Sequence, residues 1–340
     1  MSQEKMKFLT RQRFILTLKK LSKDVIIQGS LVLALFMGLM GCSEKDKPKI
    51  GVIQTSDHEA LNATRFGLMD ELRSQGLIAG QDIHFKWESA QGNPATASQI
   101  AQKFLGNNYD ILVSIGTMAS QATLQAAKGT SVPVIYASVT DPKGAKLEGN
   151  ISGVSNFVEP KIQLSAFKKI LPDLKKIGVI YSSGEQNSVA LIDFVKAAAK
   201  ELDIEVVFAT ATKTSDVYTA AMSLVGKVDA LFVNNDNIAL AAFDSVLKVS
   251  REQKIPAFVS DTDLVQKGAV AAIGPSQHRI GLKAGKMVVT LLSQPKEKRN
   301  AGNIPSEGHE NPLMFINEKA AQSLGIRISD TILREAASVY

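Results

Sequence analysis

Apolar residues along the chain come in short blocks separated by polar turns, and the blocks alternate between two periods. Residues 49–54, 111–115, 132–136, 151–154, 176–181, 204–208, 230–233, 257–259 and 269–273 are short, largely apolar runs. Runs of this length predict strands covered on both faces. Residues 81–88 alternate instead, with Ile83, Phe85 and Trp87 on one side, which predicts a half-buried strand. Between the strands lie stretches of helical spacing. The first is 59–75, where Leu61, Phe66, Leu68, Met69 and Leu72 precede Gly76, and 96–105, 117–128, 161–170, 188–201, 215–225, 238–253 and 281–292 follow. A short helix is expected at 262–267, a polar loop bearing Pro and Gly at 295–308, a last strand at 313–316, and closing helices at 317–324 and 331–337. Strand and helix in regular alternation predict an α/β protein with doubly wound parallel sheets. The pattern restarts after Pro160 with no fixed-period repeat, so the second half copies the architecture and not the sequence.

The stretch 110–121 organises the rest. Its strand stops at Gly116-Thr117, where a helix rich in Ala and Gln begins. Thr117 reads as an N-cap, and the free amides of a helix start suit an anion or carboxylate. The same strand, polar turn and helix recur at 54–57, 138–142, 182–188, 234–237 and 260–263. In open α/β sheets, ligands bind beyond the carboxyl ends of the strands. A row of such turns therefore predicts a ligand cleft, and His58, close to one of them, is a candidate to line it. The scattered His84, His278 and His309 read as surface, and Trp87 as core.

Length and charge sharpen the picture. A chain of 340 residues exceeds one typical core, so two lobes are expected. The net charge of +6 would suggest a nucleic-acid partner, but seven basic and only two acidic residues fall within 1–41, and the remaining body carries about +1. Nucleic acid is therefore not an expected partner. The basic N-terminus leads into an apolar run from about Val25 to Met40, ending Leu39-Met40-Gly41-Cys42, and reads as an export signal. Cys42 is the only cysteine, so an intramolecular disulfide is impossible. There is no phosphate loop, no dinucleotide fingerprint, no HExxH, no CxxC and no GxSxG, so no cofactor, metal or catalytic constellation is expected.

Several motifs in order carry a resemblance. They are His58-Glu-Ala-Leu-Asn-Ala-Thr-Arg65 with Gly67, Gly92-Asn93, Gly116-Thr-Met-Ala-Ser-Gln121, Val139-Thr-Asp-Pro142 and Gly149-Asn-Ile-Ser-Gly-Val-Ser155. Glu185-Gln-Asn-Ser188, Asn235-Asp-Asn237 and Asn317-Glu-Lys-Ala-Ala321 complete the set. Over about 48–337 the sequence resembles the substrate-binding proteins of ABC importers of the tryptophan/tyrosine type, with Glu59 and Asn62 departing from the family's usual proline and acidic residue. The resemblance implies a type I periplasmic-binding-protein fold, two doubly wound parallel-sheet lobes joined by crossovers: lobe one from 48–157 plus 270–300, lobe two from 158–269 plus 301–340. It implies a hinged receptor, not an enzyme, that binds an amino acid, expected to be aromatic, and passes it to an ABC permease, acting as a monomer. The N-terminal pattern likewise resembles a lipobox: a signal peptide over 1–41, a lipid anchor on Cys42 and a tether over 42–48, placing the protein outside the cytoplasm on the cell envelope.

A free amino acid presents a carboxylate, an ammonium and a side chain. The turn Thr117, Met118, Ala119 and Ser120 offers a hydroxyl and amides to the carboxylate, and Asn187 with Ser188 does so from the other lobe. Asp141, Asp236 (beside Asn235) and Asp261 are the carboxylates placed to meet an ammonium. Met118, Phe157 and Tyr181 are candidates to flank the side chain. Two other readings share this fold: an input protein reporting ligand to a membrane sensor, and a sugar or nucleoside receptor, which the low aromatic content of 6% disfavours. A hydrolase is the remaining alternative.

Overall fold

A computed structural model describes residues 47–308 and 311–340. The expected signal peptide, Cys42 and most of the tether lie outside the described residues.

Two sheets form, one per lobe. The first has five parallel strands in the order β2-β1-β3-β4-β5: β1 Lys49–Gln54, β2 His84–Ser89, β3 Ile111–Ile115, β4 Val134–Val139 and β5 Ile151–Ser155. Both faces are covered, so alternate residues of one strand serve different cores. Val52, Val113, Ile115 and Ile135 pack under helices α1 Glu59–Ser74 and α9 Gln277–Leu292, while Ile53, Leu112, Val134 and Tyr136 meet α2 Pro94–Gly106 and α3 Thr117–Ala127. That two-sided burial is why these strands read as continuous apolar runs. The edge strand β2 lies further along than 81–88. Its Trp87 is not core: 37% exposed, it lies under the Arg65 guanidinium at 3.8 Å from the ring centre.

The second sheet has seven strands in the order β12-β11-β10-β9-β8-β6-β7: β6 Lys176–Tyr181, β7 Glu205–Thr210, β8 Ala230–Val233, β9 Ala257–Val259, β10 Ala271–Gly274, β11 Leu313–Ile316 and the unforeseen β12 Ser338–Val339. Its faces are covered by α4 Pro160–Ile170 and α5 Gln186–Glu201 on one side, and by α6 Val217–Ser223, α7 Asn237–Ala241 and α8 Phe243–Gln253 on the other. The helix expected over 238–253 is broken at Ala242, which leaves helical geometry (φ −110°, ψ 25°).

Two lobe boundaries need correction. The lobe boundary expected at 270 falls after β10, because Ala271 and Ala272 pair with Phe258 and Val259 of β9 in the larger sheet. Residues 301–308 lie with lobe one and not lobe two: Ser155 donates to the Glu307 carbonyl and Glu307 to that of Gly153, both at 2.9 Å. The larger sheet is also not wholly parallel, since β11 runs antiparallel to β10. The connectivity explains this. The chain leaves β10 at its carboxyl end, builds α9 in lobe one, and re-enters the second sheet at the end from which it left, so the next strand must run backwards.

Helices α1 and α9 approach closely enough for backbone contact. A Cβ on Gly67 would lie 2.0 Å from the His278 carbonyl oxygen, and one on Gly281 2.0 Å from that of Thr64. These two glycines seat the crossover helix against lobe one. The remaining closing helices are α10 Glu318–Ser323 and α11 Asp330–Glu335.

Candidate ligand cleft between the lobes

The carboxyl ends of the strands of both lobes face a common cavity of about 360 Å³, a volume that takes in open solvent at its mouth. Lobe one lines it with His58, Leu61, Thr117, Ser138, Thr140 and Gln277; lobe two with Asn187, Asn235, Asn237, Leu240 and Asp261; Asn156 lies at the connection. Leu61 and Leu240 supply apolar wall, and the rest is mostly hydroxyl and amide.

Each group is placed by local structure. Gly116 occupies the cap position of α3 at φ 91°, and a Cβ there would fall 2.5 Å from Thr55 Oγ1. Thr117 is therefore the first helical residue and not the cap. Its Oγ1 is buried without a protein partner, at a helix start whose first amides lack intrahelical acceptors. Ser138 lies at φ 55°, where the β4–β5 register shifts between Ala137 and Val139. This irregularity brings its hydroxyl to Thr64 Oγ1 (2.7 Å) and to Gln277 Oε1 (2.8 Å). With Gln277 Oε1 accepting from hydroxyls, its amide nitrogen is the end left over.

On the facing lobe, Asp261 caps a 3₁₀ turn over Thr262–Val265. Its Oδ1 accepts the Asp263 amide at 3.1 Å, while Oδ2 has no partner. Burial, with Asp263 and Glu59 nearby, pushes its carboxyl up to about 7. Asn187 donates through Nδ2 to the Asn235 carbonyl (2.7 Å) and to Glu185 (3.0 Å).

His58, Thr117, Asn187, Asn235 and Asp261 thus meet at one cavity; the other expected residues do not. Asp236 is 1% exposed and faces away: its carboxylate accepts from the Ser182 amide (2.5 Å), the Ser188 hydroxyl (2.7 Å) and the Ala239 amide (2.7 Å). Burial and the Glu185 charge push it up to about 6. Ser188 is the third residue of α5, whose cap position is Glu185. Asp141 closes its own turn by accepting the Gly144 amide at 2.8 Å. Ala119 and Ser120 turn inward, Ser120 Oγ donating to the Gly116 carbonyl at 2.8 Å, and Met118 packs against the core of lobe one. Phe157 packs against Phe194 and Tyr181 against Phe208, and neither is among the residues that line the cavity. Ser138, Thr140, Asn156, Asn237 and Gln277 were missed. Of these, Ser138 and Thr140 in the turn at 138–142 and Asn237 in the turn at 234–237 had a local signal.

The lobes are closed on each other. His58 Nε2 lies 3.1 Å from Asn237 Oδ1, Gln121 Nε2 donates to Gln186 Oε1 at 2.5 Å, Gln186 Nε2 to the Gly144 carbonyl at 2.7 Å, and Glu59 pairs with Lys267 at 2.5 Å. Among the described residues, no group of His, Cys, Asp and Glu could hold a metal ion, and no helix is long and apolar enough to cross a membrane. A closed, hinged cavity with unpartnered hydroxyl and carboxyl groups on opposite walls complements a small zwitterion.

Residues 49–340 match the family model described as ABC transporter substrate binding protein. The chain belongs to this family. Its members are receptors that bind substrate outside the cytoplasm for an ABC transporter, and theirs is a family of binding proteins, not of catalysts. This substrate-binding protein is similar to the tyrosine-binding protein of Clostridioides difficile (strain R20291), 32% identical over 323 residues that cover 88% of this chain and 92% of the other. It is similar to an ABC domain from Streptococcus pneumonia solved in complex with L-Trp, at 30% identity and TM-score 0.80, covering 87% of this chain and 100% of that one. A ligand-free, open substrate-binding protein with adhesive properties from Clostridium difficile matches at 31% identity, covering 86% and 99% of the two chains, with TM-score 0.64. At nearly equal identity, the substrate-binding protein is thus closer to the liganded relative than to the open one, in keeping with its closed lobes.

Proposed function

We propose that this substrate-binding protein captures a free aromatic amino acid, tryptophan or tyrosine, and presents it to an ABC permease. The observation that carries the reading is the pair of buried, unpartnered polar atoms on facing walls, Thr117 Oγ1 and Asp261 Oδ2. In this reading Thr117 and the first amides of α3 hold the ligand carboxylate, and Asp261 holds its ammonium. Asn187 and Asn235 complete the polar wall, and Leu61 and Leu240 contact the ring. The names of the tyrosine-binding and L-Trp-bound relatives support an aromatic side chain. Asp236, Ser188 and Asp141 serve the walls and not the ligand. We further propose that the protein works as a monomer, tethered to the envelope through lipid on Cys42 after removal of residues 1–41. Replacing Cys42 with Ser then releases it from the membrane fraction.

Thermal unfolding of the purified protein against all amino acids, a few sugars and nucleosides tests the ligand. A ligand at a hundred times its Kd stabilises by about 2.7 kcal/mol, or roughly 5 °C for a chain of this size. A shift confined to aromatic amino acids is the expected result. A shift with a sugar or nucleoside alone would overturn the ligand assignment.

A further inference from the structure

We infer that His58 joins the ligand to the closed state: its Nε2–H holds Asn237 across the cleft while its Nδ1, as a bare lone pair, accepts a hydrogen bond from the bound amino acid. The inference rests on the reading that this cavity takes an amino acid.

The protonation pattern follows from Glu185. Its carboxylate only accepts, and it receives the amides of Asn237 (3.0 Å) and Ile238 (3.0 Å) together with the side-chain Nδ2 of Asn187 (3.0 Å) and Asn237 (2.6 Å). The Asn237 side chain is thereby fixed, because flipping it would set Oδ1 against a carboxylate oxygen. Asn237 Oδ1 is then the atom presented to His58, 3.1 Å away, and His58 Nε2 must carry the proton. Burial opposes a second proton and outweighs the nearby acidic groups, so the ring stays neutral and Nδ1 carries a lone pair. His58 is 6% exposed and lines the cavity, and its Nδ1 has no protein partner. A buried acceptor without a partner is rare. The group that fills it must be an N–H or O–H donor, which every amino acid brings in its ammonium and which tyrosine and tryptophan also bring in their side chains. One ring therefore senses ligand on one side and lobe position on the other.

Two substitutions separate the two nitrogens. His58→Gln sets an amide N–H near the place of Nε2 and retains the tie to Asn237, but has no acceptor at Nδ1. His58→Asn sets an amide oxygen near Nδ1 and cannot reach Asn237. Calorimetric titration with tryptophan and tyrosine is expected to show at least tenfold weaker binding for His58→Gln. Small-angle scattering with saturating ligand is expected to show that His58→Gln still closes and His58→Asn does not. Binding by His58→Gln at wild-type affinity overturns the proposal. Should either variant fail to fold, imidazole ¹⁵N spectra of the wild-type protein decide. The Nε2–H tautomer at pH 7, with an Nδ1 resonance that moves on ligand saturation, supports it; an Nδ1–H tautomer or an unmoved Nδ1 overturns it. Failure of the aromatic reading looks different: the wild-type protein then binds neither tryptophan nor tyrosine while keeping the Nε2–H tautomer, and the same spectra are read with the ligand found in the thermal panel.

Discussion

Ser188 Oγ donates to Asp236 Oδ2 at 2.7 Å, so two polar groups at neighbouring strand ends are occupied by each other and not by a ligand. The Ser182 and Ala239 amides complete the same carboxylate. Asp236 thus ties the first turns of α5 and α7 into one wall of the cleft.

Replacing Asp236 with Ala strands two amides and a hydroxyl in a dry interior. Unsatisfied groups of this kind cost about 1–3 kcal/mol each at most, and the expected loss is about 2–4 kcal/mol in urea unfolding. Ligand affinity of the folded fraction is expected to change far less than in a variant of Asp261.

Asp261 gives the opposite result. Its Asn variant keeps the cap to Asp263 and removes a buried carboxyl whose second oxygen has no partner. Titrating at about 7 in the folded protein and near 3.8 when unfolded, Asp261 makes the folded state bind the extra proton between those values. Its contribution to stability is therefore full below about pH 4, falls as pH rises towards 7, and is flat above. Asp261→Asn is expected to lack this decline and, without ligand at pH 8, to be more stable than wild type by on the order of a few kcal/mol. Its affinity for an amino acid is expected to drop a hundredfold or more. Denaturant unfolding across pH, paired with calorimetry, checks both.

The same group sets the pH dependence of binding. An ammonium pairs with the carboxylate and not with the acid, so affinity is expected to weaken as pH falls below about 7, towards tenfold per unit. Affinity that is flat from pH 5 to 8 would remove Asp261 from the ammonium site.

Gly67 and Gly281 allow α1 and α9 to touch along their backbones. Alanine at Gly281 would place a methyl 2.0 Å from the Thr64 carbonyl oxygen, so the helices must separate. The expected cost is about 2–4 kcal/mol, in the range of overpacking and lost core contact. Because α9 is the crossover from lobe two, hydrogen exchange is expected to rise in both helices together.

Glu59 pairs with Lys267 of the other lobe. Burial alone would raise the Glu59 carboxyl, but the hydrogen bond and charge of Lys267 hold it below its usual value. Both side chains are partly exposed, so the pair contributes about 0–1 kcal/mol and is screened by salt. Glu59→Pro sits at the first helical position, where proline is accepted. It is expected to fold normally and to weaken ligand binding no more than about fivefold, a difference from wild type that shrinks as salt is raised.

The sequence by itself determined the succession of strands and helices, the two-lobed α/β class and the turns at which a site would form. These rest on local causes: burial on both faces leaves continuous apolar runs, an amphipathic helix leaves a 3.6-residue period, and a chain leaving a strand needs turn chemistry. Even the five expected residues that reach the cavity, His58, Thr117, Asn187, Asn235 and Asp261, were legible only as members or neighbours of those turns. Which polar side chains face the ligand and which satisfy one another was decided by tertiary structure alone, because the answer depends on partners remote in sequence. Asp236 is filled by Ser188, 48 residues away, and His58 meets Asn237 across 179 residues. The strained turn at Ser138 and the assignment of β10 to the second lobe have the same origin. A carboxylate at a strand end looks alike in sequence whether its oxygens are satisfied or bare, and only the packed neighbours distinguish the two.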